Sequence, residues 1–194
     1  MMRFKPVPEP SQFNEKARLP GNAWLAQNPG KRPKDFWFPF KSQLADGFQN
    51  LCGYSAMYEP VGTVDHYLSC ENHPNLAYEW ENYRFASAWI NSSKRTLDER
   101  VVDPFQAEDD WFEILLPSLQ LVLTDAVPAH ERERAAFTLE RLHLRDDERV
   151  IRQRREWYRL YQDGELTLAG LEKKAPLIAR AVRKQQQHTS AGQQ

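Results

Sequence analysis

The chain has 194 residues, 41% of them apolar and 27% charged, enough for one compact domain with its own core and unlike a fibrous or wholly disordered protein. Its 26 Lys and Arg against 27 Asp and Glu leave a net charge of −1, which excludes a general electrostatic attraction for polyanions. That total conceals a segregation: residues 1–100 hold 12 basic and 11 acidic side chains, residues 101–148 hold 4 and 12, and residues 149–194 hold 10 and 4. Two cysteines, Cys52 and Cys70, are too few for a disulfide framework or a four-cysteine zinc site. No stretch approaches the roughly eighteen consecutive apolar residues of a membrane span, so no membrane partner and a cytoplasmic location are expected.

Seven of the 13 prolines precede residue 40, and each removes a backbone donor and holds its predecessor extended. Residues 1–35 therefore read as a Pro-rich N-terminal arm lying over a core, with Phe13, Trp24, Phe36, Trp37 and Phe38 offered for burial. Residues 36–125 read as the central unit. The spacing of Phe40, Leu44, Phe48 and Leu51 predicts a short amphipathic helix, and Thr63-Val64-Asp65-His66-Tyr67 has the β-branched and aromatic content of a strand. Tyr83-Arg84-Phe85 reads as a second short strand and Ala86 to Arg95 as a helix; Trp111–Leu116 and Leu119–Leu123, interrupted by Pro117-Ser118, read as a hairpin. Residues 126–184 carry helical signals: one helix over 129–144, a second N-capped by Asp146 and stopped by Gly164, and a last from about Thr167 towards Lys184, kinked at Pro176. The Gln-rich residues 185–194 are expected to be a disordered tail.

One window gathers ionisable and amide side chains: Asp65-His66, then Asn82, then Asn91 followed three and four positions later by Lys94 and Arg95. Singly, each has an ordinary structural explanation, since Asp, Asn and His at strand ends and turns often bond only to backbone. The order and spacing of the set carry more. Val64-Asp65-His66-Tyr67, then Leu76-Ala77-Tyr78-Glu79-Trp80-Glu81-Asn82-Tyr83-Arg84-Phe85-Ala86, then Asn91-Ser92-Ser93-Lys94, and finally Asp103-Pro104-Phe105, resemble the HNH nucleases of the ββα-metal superfamily over residues 52–105. The flanking segments resemble those of HNH proteins of bacterial anti-phage systems such as Septu.

The resemblance implies an α+β protein with a ββα-metal core, an N-terminal arm and a C-terminal helical region. It implies a metal-dependent endonuclease that hydrolyses DNA, with His66 as general base, Asn82 orienting His66 or holding its loop, and Asp65 and Asn91 as ligands of one Mg²⁺ or Mn²⁺ ion. Lys94, Arg95 and Arg84 are the implied contacts to substrate phosphates. A protein partner, an ATPase, is implied by the defence-system relatives. The alternative is a catalytically decayed HNH scaffold that binds protein or nucleic acid.

Where relatives hold a structural zinc with two Cys-x-x-Cys pairs, this chain reads Cys52-Gly53-Tyr54-Ser55 and Ser87-Ala88-Trp89-Ile90, so no structural zinc is expected and packing of Tyr54, Trp89 and Ile90 is expected to replace it. A rival zinc set, Cys52, His66, Cys70 and His73, has legitimate ligand types but would consume the general base. Adjacent strand residues point to opposite faces, so Asp65 and His66 are expected to share a site only through a twist or bulge. In the C-terminal block, Arg149, Arg152, Arg154, Arg155 and Arg159, interleaved with Trp157 and Tyr158, suit either a nucleic-acid face or neutralisation by the acidic block.

Overall fold

In the computed structural model, which describes residues 1–191, the fold is organised by a thin sheet that must be covered on both faces. Strands β1 (Thr63–His66) and β2 (Tyr83–Ala86) pair antiparallel in unbroken register, from Thr63 opposite Ala86 to His66 opposite Tyr83. Two four-residue strands are not stable by themselves and persist only by packing. Alternation puts Val64, His66, Tyr83 and Phe85 on one face and Asp65 and Arg84 on the other.

The first face is covered by the N-terminal segment. Phe4, Phe13, Phe40, Leu44 and Phe48 form one buried cluster with Val64, Tyr83 and Phe85. Phe13 meets Phe40, Trp80 and Tyr83 edge-on at centroid distances of 5.2, 5.1 and 5.7 Å, a geometry that ring quadrupoles favour. The expected arm is not extended throughout. A wide turn over Asn14–Arg18 runs into helix α1 (Leu19–Gln27), with Pro20 near its start, where a missing N–H is least costly. Of the aromatics offered for burial, Phe13 is fully buried, Trp24, Phe36 and Trp37 are half-buried, and Phe38 stays exposed. Helix α2 (Lys41–Gly47) is shorter than its apolar pattern because Gln49 and Asn50 both take positive φ; Phe40, Leu44, Phe48 and Leu51 are nevertheless all buried.

The second face is covered by helix α3 (Ala88–Lys94) and by the C-terminal half of the chain. Tyr54, Tyr67, Ala86 and Ile90 pack with the antiparallel hairpin β3 (Phe112–Leu115) and β4 (Gln120–Leu123) and with helices α4 (Ala129–Arg141), α5 (Glu148–Gln162), α6 (Leu168–Lys174) and α7 (Pro176–Ala191). Seven α-helices and two two-stranded sheets make the described residues a mixed α+β fold. None of these helices is long and apolar enough to cross a membrane.

Three sequence expectations are corrected in the C-terminal region. The cap of α5 is Asp147, not Asp146: its carboxylate accepts the Arg149 N–H. Pro176 does not kink one helix but separates two, because it forces Ala175 out of the helical region; α6 and α7 then pack on each other. Residues 185–191 continue α7 instead of forming a disordered tail, and 192–194 lie outside the described residues.

The arginines of α5 are divided among different tasks. Arg149 pairs with Asp147 and stacks over Trp89 at 4.2 Å, while Arg159 pairs with Glu156, Asp163 and Glu165. Arg154 is 1% exposed and faces the core, where it donates to the carbonyls of Leu119, Leu144 and Arg145 at 2.6–3.0 Å. Burial lowers its pKa to about 10, which still leaves it charged at neutral pH. A continuous arginine stripe is thus broken at its centre. Replacing Arg154 by Met strands the Leu119 and Leu144 carbonyls, each costing about 1–3 kcal/mol, while Arg145 O keeps the Leu121 N–H. Urea denaturation of Arg154→Met should show a loss of at least about 2 kcal/mol at unchanged m.

Candidate active site

The free edge of β1 determines the geometry of the site. On that edge the Val64 and His66 carbonyls point away from β2, and α3 covers them: Asn91 Nδ2 donates to Val64 O at 3.2 Å and Lys94 Nζ to His66 O at 2.8 Å. Lys94 Nζ also donates to Tyr67 O at 2.9 Å and lies 3.2 Å from Asp65 Oδ1. The spacing Asn-x-x-Lys on the helix therefore matches alternate carbonyls on the strand. Covering an edge in this way removes unpaired backbone groups that would otherwise be open to other chains.

This geometry corrects the expectation for Lys94. Its side chain is 0% exposed and its ammonium is fully engaged, so it positions Asp65 and β1 and does not reach substrate phosphates. Arg84 is corrected in the same way. It is buried opposite Asp65, makes a two-pronged bond to Asp103 with both contacts at 2.6 Å, and lies over the Phe105 ring at 3.7 Å. Both residues are internal braces of the kind that desolvated ion pairs with good geometry provide.

Asp65 is 1% exposed, and its carboxylate accepts from Tyr54 Oη at 2.6 Å as well as from Lys94. Burial, and then the Asp65 charge, push the Tyr54 phenol well above its ordinary pKa, so it remains a donor. Tyr54 and Ile90 are fully buried, Trp89 packs against the same cluster, and Cys52 Sγ accepts the Ser87 N–H at 3.4 Å. His73 lies 3.6 Å from Asp98. The rival zinc set is not assembled, and no three His, Cys, Asp or Glu side chains among the described residues group as a metal site.

His66 is held from the opposite face. Its Nε2–H donates to Ala77 O at 2.9 Å, and Trp37 and Tyr83 stand edge-on to its ring at 4.7 and 4.9 Å. This bond leaves Nδ1 as the free acceptor of a neutral ring. Burial lowers the imidazole pKa below its ordinary value, outweighing the opposite effect of the Ala77 bond. Asn82 does not touch the ring. Its amide exchanges two bonds with Leu68, at 2.7 and 2.8 Å, and donates to Leu76 O at 3.2 Å, which pins the loop whose Ala77 carbonyl aims His66. Asn82 is thus a positioning residue. Asp98 anchors the same loop from the far side, accepting from Ser69 N and Asn72 Nδ2 at 2.6 Å each.

No bulge interrupts β1, contrary to expectation, and Asp65 and His66 do point to opposite faces. They meet nonetheless, because one cleft of about 780 Å³ wraps around the strand's free edge and is lined by all four residues of β1. Asn91 and Arg95 line it from α3 and its end, and Arg32, Asp35 and Trp37 from the N-terminal segment. The sequence reading missed these last three and the roles of Tyr54 and Asp98. No motif links residues so far apart along the chain; only Tyr54 carried a signal, as one of the residues expected to pack in place of a structural zinc. No protein-family model matches the sequence, and no curated protein matches it.

Two stability measurements probe this geometry. Lys94→Met leaves Asp65 buried beside an apolar chain and should cost about 3–5 kcal/mol in urea denaturation, with Lys94→Met/Asp65→Asn recovering part of the loss. For His66, the folded pKa lies below the unfolded one, so the unfolded chain binds more protons as pH falls. Its contribution is complete above the ordinary histidine pKa and is lost as pH drops through that value towards the folded one. The stability difference between the wild type and His66→Asn should therefore change in favour of the variant between pH 7.5 and 5.5, and a pH-independent difference would contradict a buried neutral ring.

Proposed function

We propose that the chain is a divalent-metal-dependent phosphodiesterase of the HNH type that cuts DNA, with β1, β2 and α3 as its ββα core. The observation that carries this reading is the cleft around β1, onto which Asp65, Asn91 and His66 open together. The donor set suits Mg²⁺ or Mn²⁺. The Asp65 oxygens keep acceptor capacity beyond Tyr54 and Lys94, and Asn91 Oδ1 makes no hydrogen bond among the described residues, since its amide nitrogen is the atom held by Val64. One carboxylate and one amide, with the remaining positions left to water and phosphate, is a set that Mg²⁺ accepts. A bound dication would supply positive charge against the charge developing on the phosphate and its leaving oxygen.

The protein's own contribution is orientation and a proton acceptor. His66 Nδ1 takes the proton of the attacking water, and the Ala77 carbonyl, donated to by Nε2–H, keeps the ring in the required tautomer. The depressed pKa keeps His66 unprotonated at neutral pH. Arg95, exposed at the end of α3 with φ of 49°, faces the cleft as a phosphate contact. We further propose that the chain acts as the effector subunit of an anti-phage complex with an ATPase partner. The cleft supports reliance on a partner, since Asp35, Asp65 and Glu71 offset Arg32 and Arg95 and leave little non-specific attraction for DNA.

One observation favours a second reading, a non-catalytic binding module on the same scaffold: the Lys94 ammonium already neutralises Asp65. Metal titration by calorimetry and plasmid cleavage separate the two. The nuclease reading expects Mg²⁺ or Mn²⁺ binding that Asn91→Ala abolishes, and cleavage that His66→Ala lowers by at least about 100-fold. Neither metal binding nor cleavage by the wild type, with or without an ATPase encoded beside it, would leave the binding module.

A further inference from the structure

Arg32 is an exposed residue lining the cleft around β1. It lines both the cleft around β1 and an adjoining depression of about 520 Å³ formed by residues 32–36, so it occupies the ridge between them. Its side chain is exposed and makes no hydrogen bond or ion pair among the described residues, although Asp35 lies three positions away. Exposed arginines elsewhere are often engaged: Arg3 with Glu108, Arg149 with Asp147, Arg183 with Glu172. Arg32 and Arg95 are the only cationic side chains among the residues lining the cleft, and they come from different walls, one from the N-terminal segment and one from the end of α3. Asp65, His66 and Asn91 line the same cleft.

The chemistry of this arrangement selects its ligand. A planar guanidinium with all its donors free matches two phosphate oxygens at once, and a cation beside carboxylates that leave it unpaired is available to an incoming anion. The N-terminal segment is held in place independently of any ligand, by Tyr78 Oη donating to Lys34 O at 2.8 Å and by Trp37 against His66. Arg32 is thus presented on an anchored stretch of backbone.

We propose that Arg32 is a phosphate-binding residue for the DNA substrate, gripping the backbone from the N-terminal segment while Arg95 does so from the end of α3. The inference rests on the phosphodiesterase reading and extends it to the N-terminal segment, which then supplies one lip of the substrate channel. Asp35 and Glu71 in the same cleft lining limit the affinity and make it sensitive to the loss of either guanidinium.

The test uses full-length protein in EDTA, which withholds the dication and so prevents cleavage, and a fluorescein-labelled 30-base-pair duplex, with binding followed by anisotropy from 20 to 150 mM NaCl. Each phosphate contact contributes about 0.9 to the slope of log affinity against log salt. Adding Arg32→Ala should lower that slope by about 0.9 and weaken binding at 50 mM NaCl by about tenfold. Arg32→Lys should keep the slope, and Lys173→Ala, which removes an exposed charge far along the chain, should leave it unchanged. An unchanged slope in Arg32→Ala, an equal fall in Lys173→Ala, or no binding by the parent protein overturns the proposal. Cleavage by wild-type protein, assayed separately, reports on the phosphodiesterase reading. A chain that cuts DNA yet shows no Arg32 dependence loses only this inference, whereas one that shows the Arg32 slope without cutting keeps it and loses catalysis.

Discussion

The arrangement depends most on a buried ammonium. Lys94 Nζ bridges the Asp65 carboxylate, the outward carbonyl at the end of β1 and the next carbonyl along the chain. Taking two charges out of water is expensive, and a pair at this depth persists only where further polar groups complete its coordination. Here the further groups are backbone atoms, so the charge pair also specifies where the helix lies on the strand. Three residues of helix advance about 4.5 Å and two residues of strand about 6.7 Å; the long lysine stem spans the difference while the short asparagine takes the nearer carbonyl. A leucine in place of Lys94 would fill the space and leave the edge unpaired.

The same interaction explains how neighbours on a regular strand serve one cleft. With α3 holding the edge of β1, neither the sheet nor the helix closes the space beyond it, and a groove forms around the strand instead of over one face. Asp65 reaches it from the Lys94 side and His66 from the aromatic side. Each is oriented by a different core: Tyr54 belongs to the cluster built with the C-terminal helices, and Tyr83 to the cluster built with the N-terminal phenylalanines. Two short strands suffice as a platform because both faces are packed, and the apolar area removed from water on each side replaces what additional strands would supply.

Charge is used in a similarly local way. The acidic middle and basic end of the chain meet through individual pairs, Arg149 with Asp147 and Lys184 with Glu113. Arg159 is neutralised within its own helix turn and the loop after it, Arg154 by core carbonyls, and Arg84 by Asp103. What remains at the cleft is a near balance of carboxylates and guanidiniums, so the net charge of −1 gives little guide to the local field.

Much of the local structure was legible along the chain. The apolar spacing around Leu44, the β-branched run at Thr63-Val64, the broken apolar segments at Pro117 and the Gly164 stop all report short-range physics, in which a residue's own φ, ψ and side-chain period decide the outcome. The grouping of Asp65, His66 and Asn91 was legible too, from order and spacing. What sequence could not decide was the direction in which each side chain faces. Whether Lys94 and Arg84 point outward to an anion or inward to a carboxylate depends on Asp65 and Asp103, and their burial depends on packing by segments far away in the chain. Arg32 and Trp37 reach the cleft only because Phe13 and Phe40 lock the N-terminal segment onto the sheet. Sequence by itself determined which elements form and which chemical groups are available; tertiary structure alone decided which charges are buried as braces and which stay open at the cleft, because burial is set by contacts between elements and not by any residue's neighbours in the chain.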